Sequence, residues 1–331
     1  MTFAAGPTAA RLRRIAFPLA ILIVVVAVLV APFYVSALTR RVLSAIFFGV
    51  TLGASYNIIG GFAGFPSFGH SVFLGTSAYT TAILMHRYGI TFYPAWAAGI
   101  LVSLVVAALL GIPLLRLRGH YFAVGTIMIQ FGLAEIVSAV PYLEGGRGWT
   151  FTTGYSYNVF YYFFLVTAIL SVLSTWFVRR SRFGFGLLAI NRNEVQAQVL
   201  GVPTAAYKLA AFVLSAFWIA VLGPMYGRYL AYIDTTVVFS PRISINMLLY
   251  TLIGGMGHVV GPVIGAVIVE TVNNYVWARF LEIHLIVYGV MLILFTLFLP
   301  RGVLGSLHFS PRGFALRRPK ERVVSETLKE A

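Results

Sequence analysis

Long runs without a charged residue constrain this chain more than any other feature. Residues 42–86 contain no Lys, Arg, Asp or Glu over 45 positions. The chain of 331 residues is 60% hydrophobic and only 10% charged, whereas soluble domains carry about 25% charged residues. Too few charges are therefore present to cover a water-facing surface. This composition excludes a soluble enzyme, a disordered protein and a nucleic-acid-binding module for most of the chain.

The uncharged runs predict an all-α polytopic membrane protein. A helix that crosses the hydrocarbon core needs about 20 apolar residues, and on this basis we expect ten spans, with a range of eight to ten. The predicted spans lie within residues 15–39, 42–86 (two spans), 88–115, 119–143, 148–178, 209–232, 243–280 (two spans) and 283–300. The pair within 243–280 is interrupted by glycines and Pro262, so a re-entrant element covered by protein is the alternative there.

Basic residues orient these spans. With the N-terminus inside and every span crossing, seventeen Lys and Arg residues lie inside and six lie outside, which satisfies the positive-inside rule. An odd number of spans would place the basic tail outside, so we expect an even number. The predicted organisation is a cytoplasmic N-terminus (1–14), a transmembrane domain (15–300) and a basic cytoplasmic tail (301–331).

Two polar connections stand out within the transmembrane domain. Residues 179–208 form a cytoplasmic insertion of 30 residues, and residues 141–157 form the richest outside loop. The start of the chain has a second interpretation, since its arginines, apolar stretch and Val35-Ser36-Ala37 resemble a secretory signal with a cleavage site. We favour an uncleaved first span because the apolar stretch is longer than a usual signal.

Motifs for catalysis are missing from the sequence. The chain has no cysteine, which excludes disulfides and thiolate metal sites. No lysine follows a glycine, so there is no P-loop for ATP, and the six histidines are not at metal-ligand spacing. An intramembrane enzyme using His70 or His120 would lack a partner carboxylate at suitable spacing. We therefore predict no catalytic residue, no metal, no cofactor and no nucleic-acid partner.

Glycine-rich segments interrupt the predicted helices at two places. Residues 60–70 hold four glycines and a proline, and such a break is tolerated at membrane depth only where protein or a water-filled cavity covers it. Ser67, Gly69 and His70 are therefore candidates for a translocation path or gate, with a plain tight turn as the alternative. The second segment spaces its glycines four residues apart, which is typical of close helix packing. These glycines are Gly257, Gly261 and Gly265.

The cytoplasmic insertion contains a short helix signal. Asn191 or Asn193 can cap a helix that starts near Glu194, and Gly201 can stop it. A helix of about two turns is not stable alone in water, so it needs a partner surface. That surface is either the cytoplasmic face of this protein or a second, soluble subunit.

Three charges fall within predicted spans: Glu135, Arg228 and Glu270. A charge at membrane depth is costly and usually faces the bundle interior. Glu135 and Glu270 are therefore candidates for the translocation path. As proton carriers they would also suit a stand-alone secondary transporter or channel, which is the alternative to a multi-subunit machine. A structural role near the membrane interfaces is equally compatible with the sequence.

As an ordered set, these segments resemble the LivM-like permease subunits of ATP-binding cassette importers for branched-chain amino acids. The resemblance extends over about residues 40–306. The matching segments are Gly64-Phe65-Pro66-Ser67-Phe68-Gly69-His70, Arg116-Leu117-Arg118-Gly119, Glu135, Gly145-Gly146-Arg147-Gly148, Ser181–Gly201 with Tyr207-Lys208-Leu209, Gly254-Gly255-Met256-Gly257 with Gly261-Pro262, and Pro300-Arg301-Gly302-Val303-Leu304-Gly305.

The resemblance implies an inner-membrane protein, embedded in lipid, that works with other subunits. These are a second homologous permease, two cytoplasmic ATP-binding subunits and a periplasmic substrate-binding protein. It implies a helix that couples to the ATPases and includes Arg192, Glu194, Ala197 and Gly201. His120 and Glu144 depart from the family pattern, so urea, short amides or another small solute are alternatives to a hydrophobic amino acid.

Overall fold

The computed structural model describes residues 28–117, 119–143, 147–151, 156–279, 290 and 302–307. This part of the chain is mostly helical. Its longer helices are α1 (Ala37–Tyr56, continued by a π-helix over Asn57–Phe62), α2 (Ser71–Tyr88), α3 (Phe92–Leu114), α4 (His120–Ala139), α5 (Tyr157–Arg180), α6 (Arg182–Arg192), α8 (Thr204–Leu230), α10 (Pro241–Gly254) and α11 (Gly261–Arg279). The shorter elements are a 3-10 turn (Pro141–Leu143), β1 (Trp149–Thr150), α7 (Glu194–Val199), β2 (Tyr232–Ile233), α9 (Thr235–Val238) and α12 (Gly302–Leu307).

Six segments of the described chain are long and apolar enough to cross a membrane. They are Ala37–Phe62, Phe92–Leu114, His120–Ala139, Tyr157–Arg180, Thr204–Leu230 and Thr235–Gly254. The range of eight to ten spans and the cytoplasmic termini stay predictions. Residues 1–27, most of 280–301 and residues 308–331 lie outside the described residues, as do 144–146 and 152–155 of the predicted outside loop.

Helix α2 is not among these six but lies in the interior, between α3 and α8. Its Ser, Thr and Tyr side chains make it less apolar than its neighbours, yet Ser77 and Thr81 are fully buried. Ser77 donates a hydrogen bond from Oγ to the Ala220 carbonyl oxygen at 2.7 Å, and Thr81 donates to the Ser77 carbonyl oxygen at 2.8 Å. These internal hydrogen bonds therefore offset the free-energy cost of burying the two hydroxyl groups.

The bundle has two opposite ends, each with its own contacts between the helices and their connections. At the end that we call the hairpin end, β1 and β2 pair antiparallel, with Trp149 opposite Ile233. There α2 ends, and His86 Nε2 lies 2.7 Å from the Thr150 carbonyl oxygen. At the other end, which we call the α7 end, α3 stops and α8 begins. The two are joined by Lys208 Nζ, which donates to the Leu115 carbonyl oxygen at 3.2 Å.

The structure corrects one expectation and adds two observations at the level of elements. Gly257 does not share a helix face with Gly261 and Gly265, because it lies in the connection before α11, whose first residue is Gly261. Helix α8 begins at Thr204, so Lys208, the last residue of the predicted insertion, lies in its first turns. The two short strands were not expected. They are only two residues long, so they leave no alternating pattern in the sequence.

Candidate functional site

The short helix α7 has the start and stop that the sequence predicts. Asn193 is its N-cap, and the Asn193 side-chain oxygen accepts a hydrogen bond from the Gln196 backbone N–H at 3.0 Å. The helix ends at Val199, and Gly201 follows with a φ of +83°. That left-handed conformation costs a glycine little. Local chemistry alone therefore fixes where α7 begins and ends.

A buried ion pair anchors α7 to the bundle. The Lys208 ammonium lies 2.6 Å from the Glu194 carboxylate, and these side chains are 8% and 25% exposed. The same ammonium contacts the Leu115 carbonyl oxygen and lies 5.1 Å from the centre of the Phe65 ring. One cation thus joins the first turn of α7, the end of α3 and the broken segment 63–70.

The opposite face of α7 is apolar and exposed. Val199 is 82% exposed and Leu200 is 79% exposed, and Val195 is also exposed, whereas Ala197 is buried against the bundle. Arg192 and Gly201, the other two residues of the predicted coupling set, lie at the surface beside this face. Exposed apolar residues on a segment outside the spans are typical of a protein–protein contact.

The broken segment is a closed polar cluster centred on His70. Ser215 donates from Oγ to the Phe212 carbonyl oxygen at 2.8 Å, so His70 Nε2–H is the donor to Ser215 Oγ, at 2.8 Å. His70 Nδ1 then accepts from Ser67 Oγ at 2.6 Å. The void beside Ser67 and Gly69 measures only about 10 Å³, which is at the lower limit for one water molecule. These contacts fix the break to α8.

Polar contacts connect the π-helix, which precedes this broken segment, to its neighbours on two sides. On the α7 side, Asn191 Nδ2 donates to the Gly61 carbonyl oxygen at 3.0 Å. On the other side, Asn57 Oδ1 accepts from the Gly257 backbone N–H at 3.0 Å. Asn57 Nδ2 donates to the His258 carbonyl oxygen at 2.9 Å. The connection between α10 and α11 is thus in contact with the π-helix, and the π-helix is in contact with the end of α6.

A cavity of about 430 Å³ opens at the hairpin end. Its size lies within the range of about 300–1,000 Å³ for small-molecule sites. The residues that line it come from α1, α5, α8, α9, α10 and α11 and are Ser44, Ala45, Phe48, Leu52, Phe164, Tyr226, Tyr229, Leu230, Thr236, Val237, Ser240, Arg242, Ile243, Asn246, Tyr250, Glu270 and Asn273. Most walls are aromatic or aliphatic, and a few polar groups converge between them.

The polar groups form a ladder along two helices. Arg242, Asn246 and Tyr250 follow one another at intervals of four along α10, and such residues share one helix face. Glu270 of α11 is buried, and its carboxylate accepts a hydrogen bond from the Tyr250 hydroxyl. The Asn273 side chain lies within hydrogen-bonding reach of the same carboxylate. The cavity therefore has a basic residue in the first turn of α10 and an acidic residue on α11, and Arg242 interacts electrostatically with Glu270.

Close backbone packing holds the two helices that carry this ladder. A Cβ atom at Gly265 would lie 1.8 Å from the Tyr250 carbonyl oxygen, and one at Gly261 would lie 2.3 Å from the Gly255 carbonyl oxygen. These close approaches support the packing role predicted for Gly261 and Gly265, which stays a prediction. No larger residue fits there, so these glycines set the spacing of α10 and α11.

Of the four residues predicted for the path besides Glu270, none lines this cavity. Ser67, Gly69 and His70 lie in the closed cluster, and Glu135 is exposed on α4. A path or gate role for these four stays a prediction. The sequence analysis missed Arg242, Asn246 and Tyr250, although their spacing within a predicted span was a signal that could have identified a polar face. In the described ranges, no group of three or more His, Asp or Glu residues could hold a metal ion.

Comparisons with known proteins identify the family. The family described as "Branched-chain amino acid transport system / permease component" matches residues 38–296. The high-affinity branched-chain amino acid transport system permease protein LivM of Salmonella typhimurium is 28% identical over 326 residues, covering 87% of this chain and 74% of that protein. The corresponding LivH protein of Escherichia coli is 26% identical over 301 residues, covering 80% of this chain and 95% of that protein.

No solved structure matches this chain. The family match nevertheless covers most of the spans, the α7 region and both helices of the polar ladder. It agrees with the resemblance expected from the order of the sequence motifs, and it describes a transport component rather than an enzyme. The chain therefore belongs to the family of permease components of branched-chain amino acid transport systems.

Proposed function

We propose that this chain is one permease subunit of an ATP-driven importer that carries branched-chain amino acids across the inner membrane. ATP hydrolysis would take place on two separate cytoplasmic subunits, since the sequence has no P-loop. A periplasmic binding protein would deliver the substrate. LivM-type and LivH-type permeases are both relatives, which supports a second, homologous permease as partner.

One observation carries the coupling part of this proposal. Helix α7 is fixed on one side by the Glu194–Lys208 ion pair and presents Val199 and Leu200 on the other. A two-turn helix held in this way can transmit a push from a bound subunit to the bundle without unfolding. Contacts through Asn191, at the end of α6 that precedes α7, and through Asn57 extend to the connection between α10 and α11, whose helices line the cavity.

A matched pair of substitutions tests this assignment. Leu200→Ser removes an apolar contact from the exposed face of α7, and Leu38→Ser makes the same change at a residue that is 74% exposed at the start of α1. We expect Leu200→Ser to lower the recovery of ATPase subunits with the tagged, gently solubilised chain by at least tenfold, with an unchanged melting temperature. The Leu38→Ser variant should retain the ATPase subunits. Equal recovery from both variants would contradict the coupling role of α7.

The stand-alone transporter and the importer for urea or short amides make different predictions. A proton-driven carrier would transport substrate as a lone chain in liposomes, and Glu135→Gln or Glu270→Gln would remove that flux. The importer requires ATP and the partner subunits. Uptake of urea or a short amide, without leucine uptake, by the complete complex would favour the second alternative.

A further inference from the structure

Two adjacent arginines at the start of α1 carry an inference that goes beyond the proposed function. Arg40 and Arg41 lie in the first two turns of this helix. Arg40 Nη1 donates to Asn158 Oδ1 at 2.8 Å, and the Arg41 guanidinium lies 5.4 Å from the centre of the Tyr157 ring. Both partners are neutral, and within the described part of the chain no carboxylate forms an ion pair with either arginine. Two neighbouring positive charges therefore lack a negative counterpart there.

Arg40 also has a buried donor without an acceptor. Among the described residues, nothing accepts a hydrogen bond from Arg40 Nε, which is buried. A buried donor that is left unsatisfied is unfavourable, and more so on a charged group. A guanidinium presents five N–H donors in a planar fork, and the bond to Asn158 uses one of them. Because the fork matches two oxygens of one carboxylate or phosphate group, an anion would satisfy the donor that the protein leaves open.

A small recess lies beside these two side chains. It measures about 50 Å³ and is lined by Ala37, Arg40, Arg41, Ser44, Tyr157 and Tyr229. Space for one water molecule corresponds to about 10–15 Å³, so the recess has room for roughly four groups of that size. A phosphate group with its four oxygens has this size. Tyr157 and Tyr229 each carry a hydroxyl group that can donate a further hydrogen bond.

The recess lies at the depth of lipid headgroups. Both arginines are near the start of the span Ala37–Phe62, and Tyr157 is the first residue of α5, which is another span. Tyrosines at span ends are typical of the membrane–water interface. Beside the arginines, Phe33 is 72% exposed and Leu38 is 74% exposed. Apolar side chains exposed at the end of a span face the acyl chains of lipids, so the anion available at this depth is the phosphate of a phospholipid.

We infer that this recess binds the phosphate group of an anionic phospholipid. Arg40 donates from Nε and a neighbouring N–H to two phosphate oxygens, and Arg41 supplies the second positive charge. The acyl chains extend over Phe33 and Leu38. A choline headgroup carries its own positive charge, so a lipid with a net negative charge fits the two guanidinium groups better.

The bound phosphate connects three helix ends. The recess is formed by the start of α1, by Tyr157 at the start of α5 and by Tyr229 at the end of α8. Ser44 and Tyr229 also line the larger cavity, so the lipid lies beside that cavity. A ligand that holds these three ends together stabilises the folded chain by mass action. Anionic lipid should therefore raise the melting temperature.

The test measures lipid binding to the purified, delipidated full-length chain in mild detergent by native mass spectrometry, together with the melting temperature. The probes are phosphatidylglycerol, phosphatidylcholine with the same acyl chains, and inorganic phosphate. The variants are Arg40→Gln, Arg41→Gln and Arg40→Lys, which keeps the charge but loses the fork. Arg87→Gln is the matched control, because Arg87 is an exposed arginine that lies over an aromatic ring, that of Tyr142, at 4.2 Å and does not line the recess.

We expect phosphatidylglycerol to bind at least tenfold more tightly than phosphatidylcholine and to raise the melting temperature. Arg40→Gln should weaken its binding at least tenfold, Arg41→Gln and Arg40→Lys at least threefold, and Arg87→Gln less than twofold. An excess of inorganic phosphate should leave the lipid in place, since it has no acyl chains. Melting temperatures without lipid identify any variant that fails to fold, in which case the probe series on the unmodified chain decides.

Three outcomes would overturn the lipid site. The first is equal binding of the two lipids, or equal losses in Arg40→Gln and Arg87→Gln. The second is displacement of the lipid by inorganic phosphate, which would assign the recess to a free anion. The third is normal lipid binding by Arg40→Gln with loss of co-purification with a periplasmic binding protein, which would assign the arginines to a protein interface. The assay involves neither ATP nor leucine, so its result is independent of the proposed function.

Discussion

The two ends of this molecule use an acid and a base in different ways. At the α7 end, Glu194 and Lys208 contact each other at 2.6 Å and join three segments. In the cavity at the hairpin end, the Glu270 carboxylate interacts with the neutral Tyr250 and Asn273 side chains. Arg242, about two turns before Tyr250 on α10, interacts with Glu270 electrostatically. Two opposite charges in contact hold their segments together, because separating the charges costs free energy. Charges set apart in this way line a cavity rather than join two segments.

The packing of the two ends differs in the same sense. Helix α7 touches the bundle on one side only, whereas α10 and α11 approach each other at backbone distance through Gly261 and Gly265. Contact on one side only leaves the other side of α7 exposed for a partner, and close packing suits a cavity of fixed shape. The following four predictions test this difference, from the largest expected effect to the smallest.

The largest effect is expected where the cavity helices touch. Gly265→Ala places a Cβ 1.8 Å from the Tyr250 carbonyl oxygen, so α10 and α11 must separate, at a cost of about 3 kcal/mol. Gly132→Ala is the control, since among the described residues no atom lies within 4 Å of its Cβ. We expect a large fall in the melting temperature for Gly265→Ala alone. An equal melting temperature for both variants would contradict the packing argument.

The second-largest effect is expected for His70, in the broken segment that links the two ends. His70→Leu removes the ring that joins Ser67 to Ser215 and leaves two buried hydroxyls with fewer partners, at about 1–3 kcal/mol each. If His70 is an anchor, stability and uptake fall together, as measured by thermal unfolding and leucine flux. Loss of uptake at unchanged stability would instead support the path role that the sequence analysis assigned to His70.

A smaller effect is expected at the α7 joint. Lys208→Met leaves Glu194 without its cation, and because Glu194 is 25% exposed, water reduces the penalty to about 1–2 kcal/mol. Leucine uptake by the complete complex in liposomes should fall. The double variant with Glu194→Gln should recover part of the lost stability, since the charge that lost its partner is then gone. Additive losses in that double variant would show that the two residues act independently.

The smallest effect is expected at the cap of α7. Asn193→Ala removes the acceptor of the Gln196 N–H and should cost about 1 kcal/mol. Faster hydrogen exchange at the backbone amides of α7 measures this fraying. Asn193→Ser provides another capping oxygen and should restore slow exchange. Fast exchange in both variants would mean that the cap does not hold the helix.

Individual residues show how far local sequence signals extend. The cap at Asn193, the stop at Gly201 and the helix break after Gly254 could all be predicted, because each depends on a few neighbouring residues. The direction in which a charged side chain points could not be predicted from such local signals. Glu135 and Glu270 were equivalent in sequence, yet Glu135 is exposed on α4 and Glu270 is buried in the cavity.

The sequence by itself determined that this chain is a helical membrane protein with a short capped helix outside the spans. Uncharged runs and capping residues are local properties, so they need no knowledge of the fold. Only the tertiary structure decided that α2 lies in the interior, that His70 is enclosed, and that Arg242, Asn246, Tyr250, Glu270 and Asn273 line one cavity. Those facts depend on which helix faces meet, and contacts between segments far apart in sequence set that choice.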